Sequence, residues 1–219
     1  MIAAAIFDLN GTLIDDMAAH GRAWASVFRE LGVEVSPRRF EREFAGMKHG
    51  ETFEAVLGRK LPEAEATRLG NRKDALYREI YAPDLRLLPG ARELLQRLRA
   101  AGIRTAIATA APVANRDFAL DGLGIRPLFD AVVGEESAPR GKPFPDLYLA
   151  AARAVSADPA RCVAFEDAVN GIRAARAAGM HAAAVTTTTP AEALREAGAE
   201  FVFPDFAHLP ANLEALIFS

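Results

Sequence analysis

The sequence predicts an α/β fold: a parallel sheet covered by helices on both faces, with an all-helical insertion after the first strand. From Pro89 onward, short apolar runs alternate with segments of helical spacing, the pattern of successive βα units. Residues 16–85 instead carry helical spacing throughout, with no convincing strand. Ahead of both lies one apolar run, residues 2–7, that stops abruptly at Asp8.

The run 2–7 has no polar interruption, as expected of a strand buried on both faces. Asp8-Leu9-Asn10-Gly11-Thr12 then makes a turn at its carboxyl end. Within the insertion, 17–31 reads as a helix ended by Gly32, and Ser36-Pro37 caps a second that runs to Gly46. Residues 50–57 and 63–81 give two more helices. Linkers near 14–16 and 83–88 divide the chain into a core of 1–15 with 86–219 and an insertion of 16–85. In the core, 90–101 is a helix with Leu94, Leu95 and Leu98 on one face and Gly102 at its end. Strand 105–109, helix 115–122, strand 129–134 and helix 146–155 follow. Strand 162–165, helix 171–178, strand 182–186, helix 192–197 and strand 201–203 complete the series.

At 219 residues the chain is long enough for one substantial core and a smaller accessory unit. Its 26 basic and 29 acidic residues, net −3, give no reason to expect nucleic acid or an anionic membrane as partner. The single cysteine, Cys162, lies in an apolar strand pattern, which excludes an intrachain disulfide or a thiolate cluster and fits a small core residue. Asp8 interrupts the first apolar stretch and no basic leader precedes it, so a strand is expected there rather than a signal peptide. No run approaches the length of a membrane span. The expectation is a soluble cytoplasmic protein, monomeric or weakly dimeric.

The polar residues that end these strands carry the chemistry. Ligands of an open parallel sheet bind outside the carboxyl ends of its strands, and Asp8, Thr109 and Glu166-Asp167 all fall at such ends. Carboxylates there make a hard-oxygen site suited to Mg²⁺. Thr109 can donate its hydroxyl to a phosphoryl oxygen, and Lys142 can neutralise its charge. Asp8 can attack phosphorus, dividing one difficult step into two.

Four blocks stand in order: the Asp8 turn, the strand ending at Thr109, Arg140-Gly141-Lys142-Pro143, and Cys162-Val163-Ala164-Phe165 leading into Glu166-Asp167, Gly171-Ile172 and Ala177-Ala178-Gly179-Met180. Over nearly the whole chain this resembles the haloacid dehalogenase (HAD) superfamily, and within it the β-phosphoglucomutase and small sugar-phosphate phosphatase group. The resemblance implies a Rossmann-like sheet of order 5-4-1-2-3 and a small helical cap that closes over the site and excludes water. It also implies a Mg²⁺ cofactor and a small phosphorylated metabolite as substrate, dephosphorylated or isomerised. Asp8 would be nucleophile and metal ligand, and Thr109 and Lys142 would hold the transferring group. Asp167 would be the second carboxylate ligand, Glu166 would support through water, and the main-chain carbonyl of Asn10 would complete the set.

In the insertion, His20 and Trp24 fall in a His-x-x-Ala-Trp pattern similar to the mutase group, with packing of His20 on Trp24 as the plainer alternative. Gly46-Met47-Lys48-His49-Gly50 occupies the loop that in relatives contacts the far end of the substrate. Mutase-like proteins carry Arg where His49 falls, so Lys48 or His49 would substitute. Lys73 reads as a solvated helix residue. Ala110 and Ala111 can offer backbone N–H groups to phosphate.

One residue departs from the pattern. Where the family has an acid–base Asp two residues after the nucleophile, this chain has Asn10, whose amide donates a hydrogen bond but carries no proton near neutral pH. Loading of Asp8 by acyl or aryl phosphates should persist, whereas turnover of sugar phosphates should be attenuated. Asn10 is compatible with an adapted subgroup, with a catalytically impaired phosphate- or metabolite-binding regulator, or with an engineered trap. A carbon-centred dehalogenase fits less well, since that chemistry has no use for the Glu166-Asp167 pair.

Overall fold

The structure, a computed structural model, describes residues 1–44 and 47–219. It divides into two compact units, one formed by Met1–Asp15 with Arg86–Ser219 and the other by Asp16–Leu85.

The larger unit is built on six parallel strands: β1 (Ala4–Phe7), β2 (Arg104–Thr109), β3 (Ala131–Gly134), β4 (Cys162–Glu166), β5 (His181–Val185) and β6 (Phe201–Phe203). Their order is β3-β2-β1-β4-β5-β6, so β1 is central and β6 extends the expected five-strand order at one edge. The strand order reverses direction at β1, with β2 to one side and β4 to the other. That is where an open sheet leaves a crevice at its carboxyl edge.

The two sheet faces are packed differently. One is paved with small residues, Ala4, Ala106, Ala108, Ala164, Ala182 and Ala184, in a core shared with Ala151, Ala152, Ala174 and Ala175. The other carries Phe7 and Phe165, register partners on β1 and β4 whose rings stack at 4.6 Å. Phe206 closes over this pair, with ring centroids 6.1 and 5.6 Å away. Cys162 is fully buried.

Among its described residues the smaller unit has four α-helices: α1 (Met17–Glu30), α2 (Pro37–Glu43), α3 (His49–Leu57) and α4 (Glu63–Tyr81). Ser36 caps α2, its hydroxyl accepting the Arg39 N–H at 3.3 Å. The expected continuation of that helix to Gly46 lies outside the described residues, as does Gly46 itself as a candidate substrate contact. An aromatic cluster of Trp24, Phe28, Phe40 and Phe53 forms the core of this unit.

The other core helices are α5 (Ala91–Ala100), α6 (Val113–Gly122), α7 (Asp146–Ala154), α8 (Val169–Ala177), α9 (Ala191–Glu196) and α10 (Ala211–Phe218). The last was not anticipated: Pro210 opens it, and Leu213 and Ile217, one turn apart, are buried. Among the described residues no helix is long and apolar enough to cross a membrane.

Candidate active site

The backbone brings three separate stretches of sequence to one point. The Asp8 N–H donates to the Phe165 carbonyl at 3.0 Å, continuing the β1–β4 ladder by one residue. Asp8 therefore leaves the sheet beside Glu166 and Asp167. All three carboxylates are buried, at 7, 1 and 4 % exposure, and each offers an oxygen within 4.8 Å of the others. Lys142 reaches in from the loop before α7: its Nζ donates to Asp8 Oδ1 at 2.7 Å and to Glu166 Oε1 at 2.5 Å.

The two neighbouring acids are used differently. Glu166 is saturated with donors. Its Oε1 accepts from Lys142 and from the Tyr148 hydroxyl at 3.1 Å, and its Oε2 accepts the N–H groups of Asp167 at 2.9 Å and Ala168 at 3.0 Å. Asp167 is held by hydroxyls only: Thr12 donates to Oδ1 at 2.8 Å and Thr188 to Oδ2. Gly11 makes this approach possible. It sits at φ +76°, and a Cβ there would stand 2.2 Å from Asp167 Oδ2.

Charge does not balance in this cluster. Burial alone would lower the pKa of the Lys142 ammonium, but Asp8 and Glu166 outweigh it and raise the pKa, so Lys142 stays protonated. Burial, then Glu166 and Asp8, push the Asp167 carboxyl well above the usual carboxylate range. One ammonium facing three buried carboxylates leaves an excess of negative charge that a divalent cation would offset.

The sign for stability follows. Between its ordinary value of 3.8 and its raised one, Asp167 binds a proton in the folded chain that the unfolded chain has released. Stability of the cation-free protein is therefore lost as pH rises through that window. Asp167→Asn removes the charge, and thermal melts in chelator should show a higher Tm for the variant at neutral pH, the gain disappearing towards pH ~4. An unchanged or lower Tm at neutral pH would contradict this account of the site.

The other expected residues are dispersed as follows. Thr109 ends β2 at 1 % exposure, and its hydroxyl accepts the Ala111 N–H at 3.1 Å, so that N–H is engaged within the turn rather than presented to a ligand. Ala110 is exposed at the same turn. Asn10 is half-buried and bridges to Ile14 through the backbone.

In the helical unit, His20 lies one turn before Trp24 on α1. It stacks on Tyr77 at 3.9 Å, while Trp24 is 1 % exposed within the aromatic core. Lys73 is not solvated as expected but 4 % exposed, because α4 turns Leu69, Lys73, Asp74, Tyr77 and Tyr81 to its buried side. Its Nζ lies 2.8 Å from His20 Nδ1 and 3.1 Å from Asp74 Oδ1. Tyr77 donates to Asp16 at 2.6 Å, and His20 Nε2 is 3.4 Å from the same carboxylate. Burial and then Lys73 lower the pKa of His20, keeping it neutral, with Nδ1 accepting from the ammonium. His49 pairs with Asp74 at 3.5 Å, and Lys48 is exposed at the start of α3.

The sequence profile of haloacid dehalogenase-like hydrolases matches residues 2–179. The chain belongs to this family. Validoxylamine A 7'-phosphate phosphatase of Streptomyces hygroscopicus subsp. limoneus is 34 % identical over 204 residues, covering 90 % of this chain and 92 % of that one. β-Phosphoglucomutase of Bacillus subtilis is 32 % identical over 195 residues, covering 85 and 84 %. Among solved structures, a mutant of CbbY from Rhodobacter sphaeroides in complex with xylulose-(1,5)bisphosphate superposes with a TM-score of 0.81 at 28 % identity, covering 95 and 96 %. With named phosphatases and a phosphomutase among its relatives, this HAD hydrolase is an enzyme of the phosphatase and phosphomutase kind.

Sequence reasoning missed several members of the hydrolase's site. The run 186–189 supplies two of them: Thr188 donates to Asp167 and Thr187 to the Gly11 carbonyl. Its position directly after β5, at the carboxyl edge of the sheet, was the available signal. Tyr148 lies on α7, where helical spacing gives no sign of its partner; only the fold aims its hydroxyl at Glu166.

Proposed function

We propose that this protein is a Mg²⁺-dependent phosphatase or phosphomutase of a small phosphorylated sugar or similar metabolite, working through an aspartyl-phosphate on Asp8 and slowed by Asn10. The observation that carries this reading is the junction of Asp8, Lys142, Glu166 and Asp167 at the carboxyl edge of the sheet. The phosphorylated compounds named in the relatives supply the substrate class.

The donor set fits Mg²⁺: carboxylate oxygens only, buried, close together and carrying excess negative charge. Asp8 and Asp167 would hold the ion with the Asn10 carbonyl, while Glu166, already saturated, would act from behind. Bound there, the cation would supply charge neutralisation for the transferring phosphoryl group.

The remaining work falls to the chain's own side chains. Asp8 attacks phosphorus, and the Lys142 ammonium beside it stabilises the equatorial oxygens as the P–O bond to the leaving group breaks. Thr109 orients the phosphoryl group by its hydroxyl. Asn10 positions the leaving oxygen but delivers no proton to it, and later takes none from water. The helical unit would serve as a cap, with His20, Lys48 and His49 as its candidate substrate residues.

Hydrolysis of sugar and polyol monophosphates, assayed with and without Mg²⁺ and with and without a sugar bisphosphate primer, tests this proposal. Mg²⁺-dependent phosphate release marks a phosphatase, and primer-dependent isomerisation marks a mutase. Neither activity, in this chain and in Asn10→Asp alike, would sink both. Asn10 favours a second reading, a phosphate-binding regulator; it predicts that phosphate still binds while Asn10→Asp restores no turnover.

A further inference from the structure

We propose that Arg116 is a positioning residue: by latching Glu136 across the end of β3, it sets the loop that carries Lys142. The phosphoryl-transfer reading enters only in giving Lys142 its task.

Arg116 lies in the first turn of α6 and is 5 % exposed, an uncommon burial for arginine. Its guanidinium makes a fork to one carboxylate, Nη2 to Glu136 Oε1 at 2.7 Å and Nη1 to Glu136 Oε2 at 3.3 Å. Forks of this kind fix geometry as well as adding energy. The arrangement is one-sided, since the Glu136 side chain is 58 % exposed. The arginine is the fixed post, and the glutamate is what it holds. The Arg116 hydrogen bonds also keep the Glu136 carboxyl below its usual range.

Room for the guanidinium comes from Gly134, the last residue of β3 and the register partner of Thr109. A Cβ at 134 would stand 1.5 Å from Arg116 Nη1 and 2.3 Å from Glu136 Oε2. The guanidinium thus lies across the sheet edge, joining α6 to the turn Glu135–Ser137 that opens the loop.

Six residues beyond Glu136, Lys142 places its ammonium on Asp8 and Glu166. The far end of the loop is clamped too: Arg140 donates to Asp146 at 2.8 and 3.2 Å and lies over the Phe144 ring. In that clamp the arginine is the exposed partner, at 55 %, and Asp146 is 11 % exposed. The latch ties the opening end of the loop, with its buried arginine on α6. A lysine on a flexible stem needs such framing, because a misplacement of about 1 Å in a reacting group can cost on the order of 10²-fold in rate.

Three variants test the latch. Arg116→Met removes the post, Glu136→Gln weakens the fork from its exposed side, and Gly134→Ala keeps both charges but displaces the guanidinium. Backbone hydrogen exchange over 136–142 should quicken by about tenfold or more in each, as a local opening becomes easier. Single-turnover labelling of Asp8 by acetyl phosphate should slow by about tenfold or more, while Mg²⁺ affinity measured by calorimetry stays unchanged. If Arg116→Met does not fold, the other two variants decide. Native exchange in the variants that fold overturns the latch, whether or not the protein turns over. Faster exchange with unchanged labelling overturns its role in placing Lys142. Absence of labelling in the unsubstituted chain and in Asn10→Asp alike overturns the phosphoryl-transfer reading instead, and with it the task of Lys142, leaving exchange to judge the latch.

Discussion

Asn10→Asp is expected to raise steady-state hydrolysis of a sugar or alkyl monophosphate by about 10²–10⁴-fold, the usual worth of a positioned acid–base group. The gain should depend on the leaving group. An alkoxide leaves poorly without a proton, so its expulsion needs the acid that Asn10 is not. Acetyl phosphate releases a stable carboxylate, so loading of Asp8 by it should change little. The rate of label loss from Asp8 should rise in the variant, because water attacking the phospho-aspartate then has a base. Rapid-quench measurement of the two phases on both proteins checks this. An equal gain in the loading phase on both substrates would remove proton transfer to the leaving group as the explanation, and no gain on either would favour a binding role.

Asp8→Asn, made in the Asn10→Asp background, should lower turnover by about 10⁴-fold or more, on the scale seen when an enzyme's nucleophile is deleted. Acid-stable protein-bound phosphate should vanish with it. The fold should survive, because Lys142 keeps Glu166 as a partner and the buried excess of negative charge falls. Circular dichroism and calorimetry on the variant separate lost chemistry from lost structure. Label retained in Asp8→Asn would move the nucleophile elsewhere.

Much of this was legible in the chain because strand ends are legible. A run such as Cys162–Glu166 is apolar until it leaves the sheet, and the first polar residue marks the carboxyl edge where ligands gather. The strand ends at Asp8 and at Glu166-Asp167 therefore foretold the meeting of these carboxylates. What the spacing could not show was where neutral and basic side chains point. Lys73 has the composition of a solvated residue, and only the inward turn of α4, with Asp74 and His20 as partners, explains its burial. Thr188 and Tyr148 serve the acids through a single hydroxyl each, and hydroxyl residues are too common in loops and helices to stand out. Arg116 and Glu136 lie 20 residues apart, a long-range pair that no local period reveals.

The alanine-paved side of the sheet has a consequence for how this scaffold can change. Ala106, Ala108 and Ala164 share a close-packed buried core with Ala151 and Ala175, so an added methylene there has no free space and must displace its neighbours. Variation is thereby driven off that layer and onto the turns at the sheet's carboxyl edge, the same turns that choose what binds. A floor this unyielding lets its rim diversify without disturbing the register of Asp8 against Phe165.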